Sequence, residues 1–570
     1  MKKMMNLKDI KKYALKTGLE CGFNIMLWFS SVRLVRWWVQ RNSLYRKKLD
    51  YDWTFGELIR RVVGNYESMF ESDIPVETDS LGKGITKKLL NQFGYVMIEL
   101  KHYARDSLRA TKVLHEAHLE LKAAKISTQI AKRVKDGRRI SGSLINAAKK
   151  SDQNLAKFKH LKSAKAPDMD FVRHLANYYA KDIIADYDPV FYKIFKNFAK
   201  LTFVRHLDKN LIVSEDSLKM MEEIKHLTEN HAFVFISNHV SNADHAPIFF
   251  ALNRHGIYQP STIAGKNLDH GFSSKIFPRV NARWLNRGIM LPPEEVEKLK
   301  WFTLLWNMPG QRSGTELWKE LKKYGVGWVN NPIYRETDKA YTHIQLEHLQ
   351  PILFYIEGGR STTGTLRAPK IVIFEDMLDY VRKTGKPVYL GPTAISYTII
   401  GEDKALETAR RGEKNISEGD LVSQLSKLNK VTGPDSPIYV HFGKPIRIGP
   451  DDLSERPKKF ARQVNEYAAQ MMTAIGNGIK NTATYLLAAT IVKNQYEKNF
   501  TLQNAKTDMT IMAKTLEEEM SEAEVEKGLN TALAIFEKKG FIQKKDGLYE
   551  ILNIPLIRQY GRRIEHKLVK

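Results

Sequence analysis

Ala232-Phe233-Val234-Phe235-Ile236-Ser237, running into Asn238-His239, is the stretch on which the fold turns. A short, almost continuously apolar and partly β-branched run reads as a strand buried on both faces, the kind found inside an α/β sheet. His239 then stands at the end of that strand. Ser241 and Asn242 are suited to cap a helix over Ala243 to Leu252, which puts Asp244 in its first turn, where the helix dipole favours an anion. From there a carboxylate can reach back to the imidazole and fix its tautomer. One ring nitrogen donates to the carboxylate and the other is left to take a proton from a hydroxyl, with no side-chain nucleophile required. Spacing alone is weak support, since 16 His and 64 acidic residues in 570 give roughly two such pairs by chance. Placement at a strand end adds weight.

A second apolar run, Pro351-Ile352-Leu353-Phe354-Tyr355-Ile356, leads into Glu357-Gly358-Gly359-Arg360-Ser361-Thr362-Thr363-Gly364. Adjacent glycines let the backbone approach a ligand closely, and the Arg360 guanidinium is a planar fork matched to phosphate oxygens. The alternative is a tight turn with an exposed Arg. Taken together, the two elements point to an enzyme that activates a hydroxyl on a phosphorylated substrate.

In this order the elements resemble the glycerolipid acyltransferase family, whose first block is His-x4-Asp and whose third is an apolar strand followed by Glu-Gly-[Thr or Gly]-Arg-Ser. The Gly-Gly form, extended by Thr363-Gly364 and Pro369-Lys370, is most similar to the glycerol-3-phosphate 1-O-acyltransferases of the long bacterial type. Ala264-Gly265-Lys266-Asn267-Leu268 resembles a segment that follows the first block. Pro387 to Pro392, continuing through Ser396-Tyr397, is similar to the fourth block, a strand that helps line the acyl site. The tail from Ile557 to His566 resembles a closing Tyr, Arg and His pattern.

Two departures stand out. The family's second block is an apolar run followed directly by one or two Arg, whereas Gly325-Val326-Gly327-Trp328-Val329 is interrupted by Asn330-Asn331-Pro332 before Arg335, the best match to its Arg. The stretch from about 270 to 324 is also long, with a Trp- and Pro-bearing insert from Lys300 to Pro309. That insert reads equally as a membrane-dipping loop, a lid or a packing loop.

The resemblance implies acyl transfer from acyl-coenzyme A or acyl-carrier protein to the sn-1 hydroxyl of glycerol 3-phosphate, forming lysophosphatidate. His239 is then the general base and Asp244 its orienting partner. Arg360 with Lys266, Arg335 and Lys370 is expected to bind the phosphate, Gly358 and Gly359 to admit it, and Glu357 to anchor the turn that carries Ser361. No metal and no cofactor beyond the acyl donor is expected, since no Cys or His cluster has ligand spacing. Dihydroxyacetone phosphate or a lysophospholipid is an alternative acceptor, and a non-catalytic membrane-docking relative is a further alternative.

Composition frames this reading. With 43% hydrophobic and 27% charged residues, 570 residues suffice for two to four domains, and no multi-span membrane protein is implied. Cys21 to Val32 is bounded by Glu20 and Arg33, and Thr484 to Val492 is only nine residues. The single cysteine, Cys21, excludes an intramolecular disulfide framework and suits a reducing compartment. Apolar residues with Trp28, Trp37 and Trp38 and interleaved bases fit a retained interfacial helix over Phe23 to Gln40; a core helix is the competing account.

The net charge of +26 calls for a partner or a surface. Residues 121 to 165 hold thirteen Lys or Arg against Asp136 and Asp152, a net +11. Anionic lipid, an anionic acyl donor or nucleic acid would each be attracted, and a solvated helical face is the bland reading. A site on the cytoplasmic face of the inner or plasma membrane follows as the expectation.

Along the chain, 1–195 reads as a basic helical domain with an interfacial segment, 196–450 as a mixed α/β acyltransferase domain, and 451–570 as a helical region with a hairpin. Helix Ala523 to Lys538 followed by that hairpin resembles a winged-helix fragment. A nucleic-acid reader is nevertheless disfavoured, because Glu524, Glu526 and Glu537 sit where a recognition helix needs bases.

Overall fold

The computed structural model describes residues 51–71, 183–202, 207–265, 273–285, 332–412 and 436–568, apart from 243, 497 and 519, with isolated positions elsewhere. Lys266, the segments 23–40 and 122–165, and the 300–309 insert therefore fall outside the described residues, save for isolated positions.

Eight described strands make one mixed sheet: β1 (Leu211–Val213), β2 (Ala232–Ser237), β3 (Ser261–Gly265), β4 (Ala282–Leu285), β5 (Ile352–Tyr355), β6 (Val388–Tyr397), β7 (Ile438–Phe442) and β8 (Ile446–Ile448). Their order is β1-β7-β6-β2-β5-β3-β4, with β8 pairing the first part of β6. β2 is central, and all six of its residues are buried. β2 lies parallel to both β5 and β6, while β7 and β8 run antiparallel to β6. Ser237 is level with Tyr355 on one side and Thr393 on the other. Residues leaving β2 and β5 thus emerge side by side at the carboxyl ends of parallel strands, the edge of an α/β sheet where ligands bind.

The N-terminal and middle helices used below are α1 (Tyr51–Glu71), α2 (His245–Arg254), α3 (Pro332–Glu347) and α4 (Ile371–Thr384). Leu58 and Val62, four apart on one face of α1, share a core with Tyr334, Tyr341 and Ile344 of α3. Arg61 forks onto Glu347 at 2.7 and 2.8 Å. Pro332, read in the sequence as part of an interruption, begins α3, a position where its missing N–H is no loss. Arg335 therefore lies in the first turn of a helix and does not follow a strand. β4 comes from the stretch read as an insert, and its Arg283 is fully buried against Asp338, 3.2 Å away.

The C-terminal part comprises α5 (Pro457–Gly478), α6 (Ala483–Lys493), β9 (Asn499–Thr501), α7 (Leu502–Thr515), α8 (Glu522–Lys539), the hairpin β10 (Ile542–Lys545) and β11 (Leu548–Ile551), and α9 (Ile554–Gly561). From α6 to β11 the element order and the β10-β11-β9 pairing are those of a winged helix. Ser521 and Glu524 form a capping box on α8, Gly540 closes it in the left-handed conformation, and Asp546-Gly547 turn the hairpin at positive φ. Leu486, Phe536 and Tyr560 belong to the same hydrophobic core as Val234, Ile395 and Val440, so this unit is fused to the sheet.

Candidate active site

Asn238 extends β2 by one step with its side chain. Its amide donates to Ile395 O at 3.0 Å and accepts from Ile395 N at 2.9 Å, which fastens the strand end to β6. His239 follows, and its backbone is gripped from the other side. Its N–H donates to Glu357 Oε1 at 2.8 Å, and its carbonyl accepts from Ser361 N at 3.4 Å. Two residues 118 apart in sequence are thereby placed on one rim.

The His239 ring reaches Asp244 through Nδ1, 2.8 Å from Oδ2. Because a carboxylate only accepts, Nδ1 carries the proton and Nε2 keeps its lone pair. Asp244 is fully buried and collects three further donors: Val240 N at 2.7 Å, Ser241 N at 2.9 Å and the Tyr397 hydroxyl at 2.8 Å. It does not stand inside a helix from 243, as the spacing had implied. It is the residue before α2, which starts at His245, and Ser241 and Asn242 do not cap that helix. The carboxylate instead turns back to tie the 239–241 loop.

Tyr355 lies flat against the His239 ring, with centroids 4.3 Å apart and planes 16° from parallel. Burial, with the Asp244 charge adding, pushes the Tyr355 and Tyr397 phenols well above their ordinary value, so both stay protonated. His245 is held neutral, its pKa lowered to about 4 by burial. The His239 side chain is 14% exposed, and among the described residues Nε2 has no hydrogen-bond partner.

The second loop is held by charge and by close backbone approach. Buried Glu357 uses Oε2 to accept Arg367 N at 2.9 Å, so one carboxylate spans the start and end of the turn and reaches His239 as well. Burial raises its pKa against those two amide bonds. Gly358 has φ +64, and a Cβ there would sit 2.7 Å from the Lys370 side chain, whose stem covers the turn. Gly359 is buried beside it. Ser361 Oγ accepts Gly364 N at 3.1 Å. Gly364 has φ +95, and a Cβ on it would lie 2.1 Å from Gln559 O of α9. Gln559 also donates to Thr362 O at 3.1 Å and Arg563 to Ser361 O at 3.5 Å, so the tail closes on this loop.

Arg360 is not an exposed turn residue. It is 8% exposed, and its Nη1 is 3.2 Å from Glu402, which also accepts from Ser241 Oγ at 2.6 Å and Asn242 N at 3.0 Å. Arg335 is engaged at the start of α4: its guanidinium forks onto Asp376 and also reaches Val372 O at 3.4 Å. β4 is followed in the sequence by Asn286-Arg287, which lie outside the described residues. Asn238, Tyr355 and Glu402 had no functional reading in the sequence, although Asn238 and Tyr355 stood in quoted runs, and Tyr397 was read only as part of the strand lining the acyl site.

Residues 219–396 match the acyltransferase family model. The chain carries an acyltransferase domain. Among curated relatives, it is 24% identical over 362 residues to a glycerol-3-phosphate acyltransferase of Pseudoalteromonas translucida, covering 61% of this chain and 38% of that one. It is 23% identical over 413 residues to a protein of the same name from Shewanella denitrificans, covering 69% and 45%. A third of that name, from Glaesserella parasuis, is 23% identical over 380 residues, covering 62% and 42%. The chain spans less than half the length of these relatives. The acyltransferase domain match includes β2, β5 and nearly all of β6, and with them every residue of both loops.

Proposed function

We propose that this chain transfers a fatty acyl group from acyl-coenzyme A or acyl-carrier protein to the sn-1 hydroxyl of glycerol 3-phosphate, giving lysophosphatidate and a free thiol. The observation that carries this reading is the open Nε2 of a partly exposed His239 held by a buried Asp244, set on one rim with the Glu357-to-Ser361 loop. His239 Nε2 takes the hydroxyl proton as the oxygen attacks the thioester carbonyl. The tetrahedral adduct then collapses, the C–S bond breaks, and the imidazolium returns its proton to the departing sulfur. Asp244, already satisfied by four donors, stabilises the imidazolium without reorganising. Ordering two substrates against one base supplies much of the acceleration, as expected where no covalent intermediate forms.

The acceptor phosphate is assigned to Arg360, Lys370 and Lys266, while Arg335 is committed to its ion pair with Asp376. Among the described residues no helix is long and apolar enough to cross a membrane. A lipid product and the basic 122–165 stretch favour a peripheral place on an anionic membrane, at the cytoplasmic face. The names of the relatives favour glycerol 3-phosphate over dihydroxyacetone phosphate. Nucleic-acid binding is disfavoured, since Glu522, Glu524, Glu526 and Glu537 of α8 stand where a recognition helix needs bases. The test is to offer labelled acyl-coenzyme A and acyl-carrier protein to the purified chain with glycerol 3-phosphate, dihydroxyacetone phosphate and lysophosphatidate in parallel. Preferential labelling of either of the other two acceptors would replace the substrate assignment.

A further inference from the structure

The last residue of β6, Tyr397, is fully buried, and its hydroxyl donates to Asp244 Oδ1 at 2.8 Å. Its backbone is set independently of the dyad. Tyr397 N donates to Tyr485 Oη of α6 at 3.2 Å, and Thr484 Oγ1 to Thr398 O at 2.9 Å. A buried phenol hydroxyl needs a partner, and here that partner is the carboxylate that aims the base. We propose that Tyr397 is a positioning residue of the dyad, its hydroxyl fixing Asp244 and thereby setting how strongly His239 holds a proton.

The groups facing His239 are few. Asp244 and His245 come from the start of α2, Tyr355 from β5, Glu357 and the Ser361 amide from the turn after β5, and Tyr397 from β6 through Asp244. Arg563 from the tail acts at Glu357, and Arg360 with Glu402 acts beyond Ser241. Of these, Tyr397 is the side-chain donor that shares the Asp244 charge with the imidazole. A donor on the carboxylate disperses its charge, so less remains to stabilise the imidazolium. Removing that donor raises the proton affinity of His239; strengthening it lowers that affinity.

This inference rests on the dyad reading above, and the experiment keeps the two apart. Carbethoxylation of His239 by diethyl pyrocarbonate, followed by peptide mass spectrometry across pH, reads the titration of the imidazole without any acyl acceptor. Tyr397→Phe should move that titration up by about half to one unit. The acid limb of kcat/KM should follow by the same amount, with the plateau rate falling roughly three- to tenfold. Replacement of Tyr397 by 3-fluorotyrosine, nearly isosteric and a stronger donor, should move the titration down, and it covers the case in which the Phe variant fails to fold. Shifts of opposite sign support the role. No shift, or shifts of the same sign, in the replacements that fold overturns it. A shifted titration in a protein with no acyl transfer would leave the positioning role standing and remove the proposed function.

Discussion

The loops that leave β2 and β5 sit side by side, yet they are held in different ways. Residues 239–244 are tied chiefly by their own Asp244, which gathers the ring of His239 and the amides of Val240 and Ser241. Residues 357–364 add to their own ties a restraint from the C-terminal tail, where Gln559 and Arg563 hold their carbonyls, while Glu402 joins Arg360 to Ser241 and Asn242 of the first loop. The ring of the base is aimed by a carboxylate five residues away, whereas the second loop has its carbonyls held by the C-terminal tail. A fusion that looks like a nucleic-acid module in outline therefore acts as a wall for the site.

The contrast is broken most severely at the local loop. His239→Ala should lose two to four orders of magnitude in turnover, the usual weight of a general base, with acceptor binding little changed. Asp244→Asn should lose nearly as much, through a misplaced tautomer. Steady-state kinetics on protein shown to be folded by circular dichroism decides it, and near-normal turnover in either variant removes the assignment.

At the distant loop the expected damage is to stability first. Gly364→Ala puts a Cβ 2.1 Å from Gln559 O at φ +95, so loop and tail must separate. A loss on the order of 2–3 kcal/mol in denaturant unfolding is expected. Activity should fall mainly through the acceptor constant, because the dyad has its own restraints; an equal fall in kcat at constant KM would show that the loops are not independent.

Arg360→Lys sharpens the same point with a smaller change. Lys keeps the charge but loses the planar fork that can hold Glu402 and a phosphate at once, so the apparent acceptor constant should rise roughly tenfold. The acyl-donor constant should move little. A change confined to the donor would assign Arg360 to the coenzyme or carrier side.

What was legible in the sequence follows this division. β2 and β5 could be read because strands buried on both faces are continuously apolar, and the His–Asp spacing because both partners lie within one loop. The Gly-Gly-Arg turn announced its flexibility but not its partners, since nothing local marks Glu402 as a neighbour of Arg360 or Gln559 as a neighbour of Thr362. Tyr397 was read only as the end of a strand lining the acyl site; its bond to Asp244 spans 153 residues. β4 was missed for a related reason: four residues with an Arg at the second position do not look like a strand until Asp338 is brought against Arg283. Pro332 misled as a breaker because the helix begins on it.

Glu357 belongs to both loops, and it allows the finest test. Its carboxyl sits above the ordinary 4.5 because burial outweighs the amides of His239 and Arg367 that favour the ionised form. The folded chain thus binds this proton more tightly than the unfolded chain does. The stability it contributes is complete below 4.5 and is lost as pH rises through the elevated value. Gln does not titrate, but it keeps only one accepting oxygen for two amide donors. Glu357→Gln should therefore be less stable than the unsubstituted chain at about pH 4.5, by about 1–3 kcal/mol, the cost of one buried amide left without an acceptor. Its relative stability should improve between about pH 4.5 and about pH 7.5, where ionisation penalises Glu alone. Thermal unfolding of both proteins at the two pH values measures this. A variant that compares worse at the higher pH would mean that the ionised carboxylate, bridging both loops, is worth more than its burial costs, and that the two loops are coupled more tightly than their separate restraints imply.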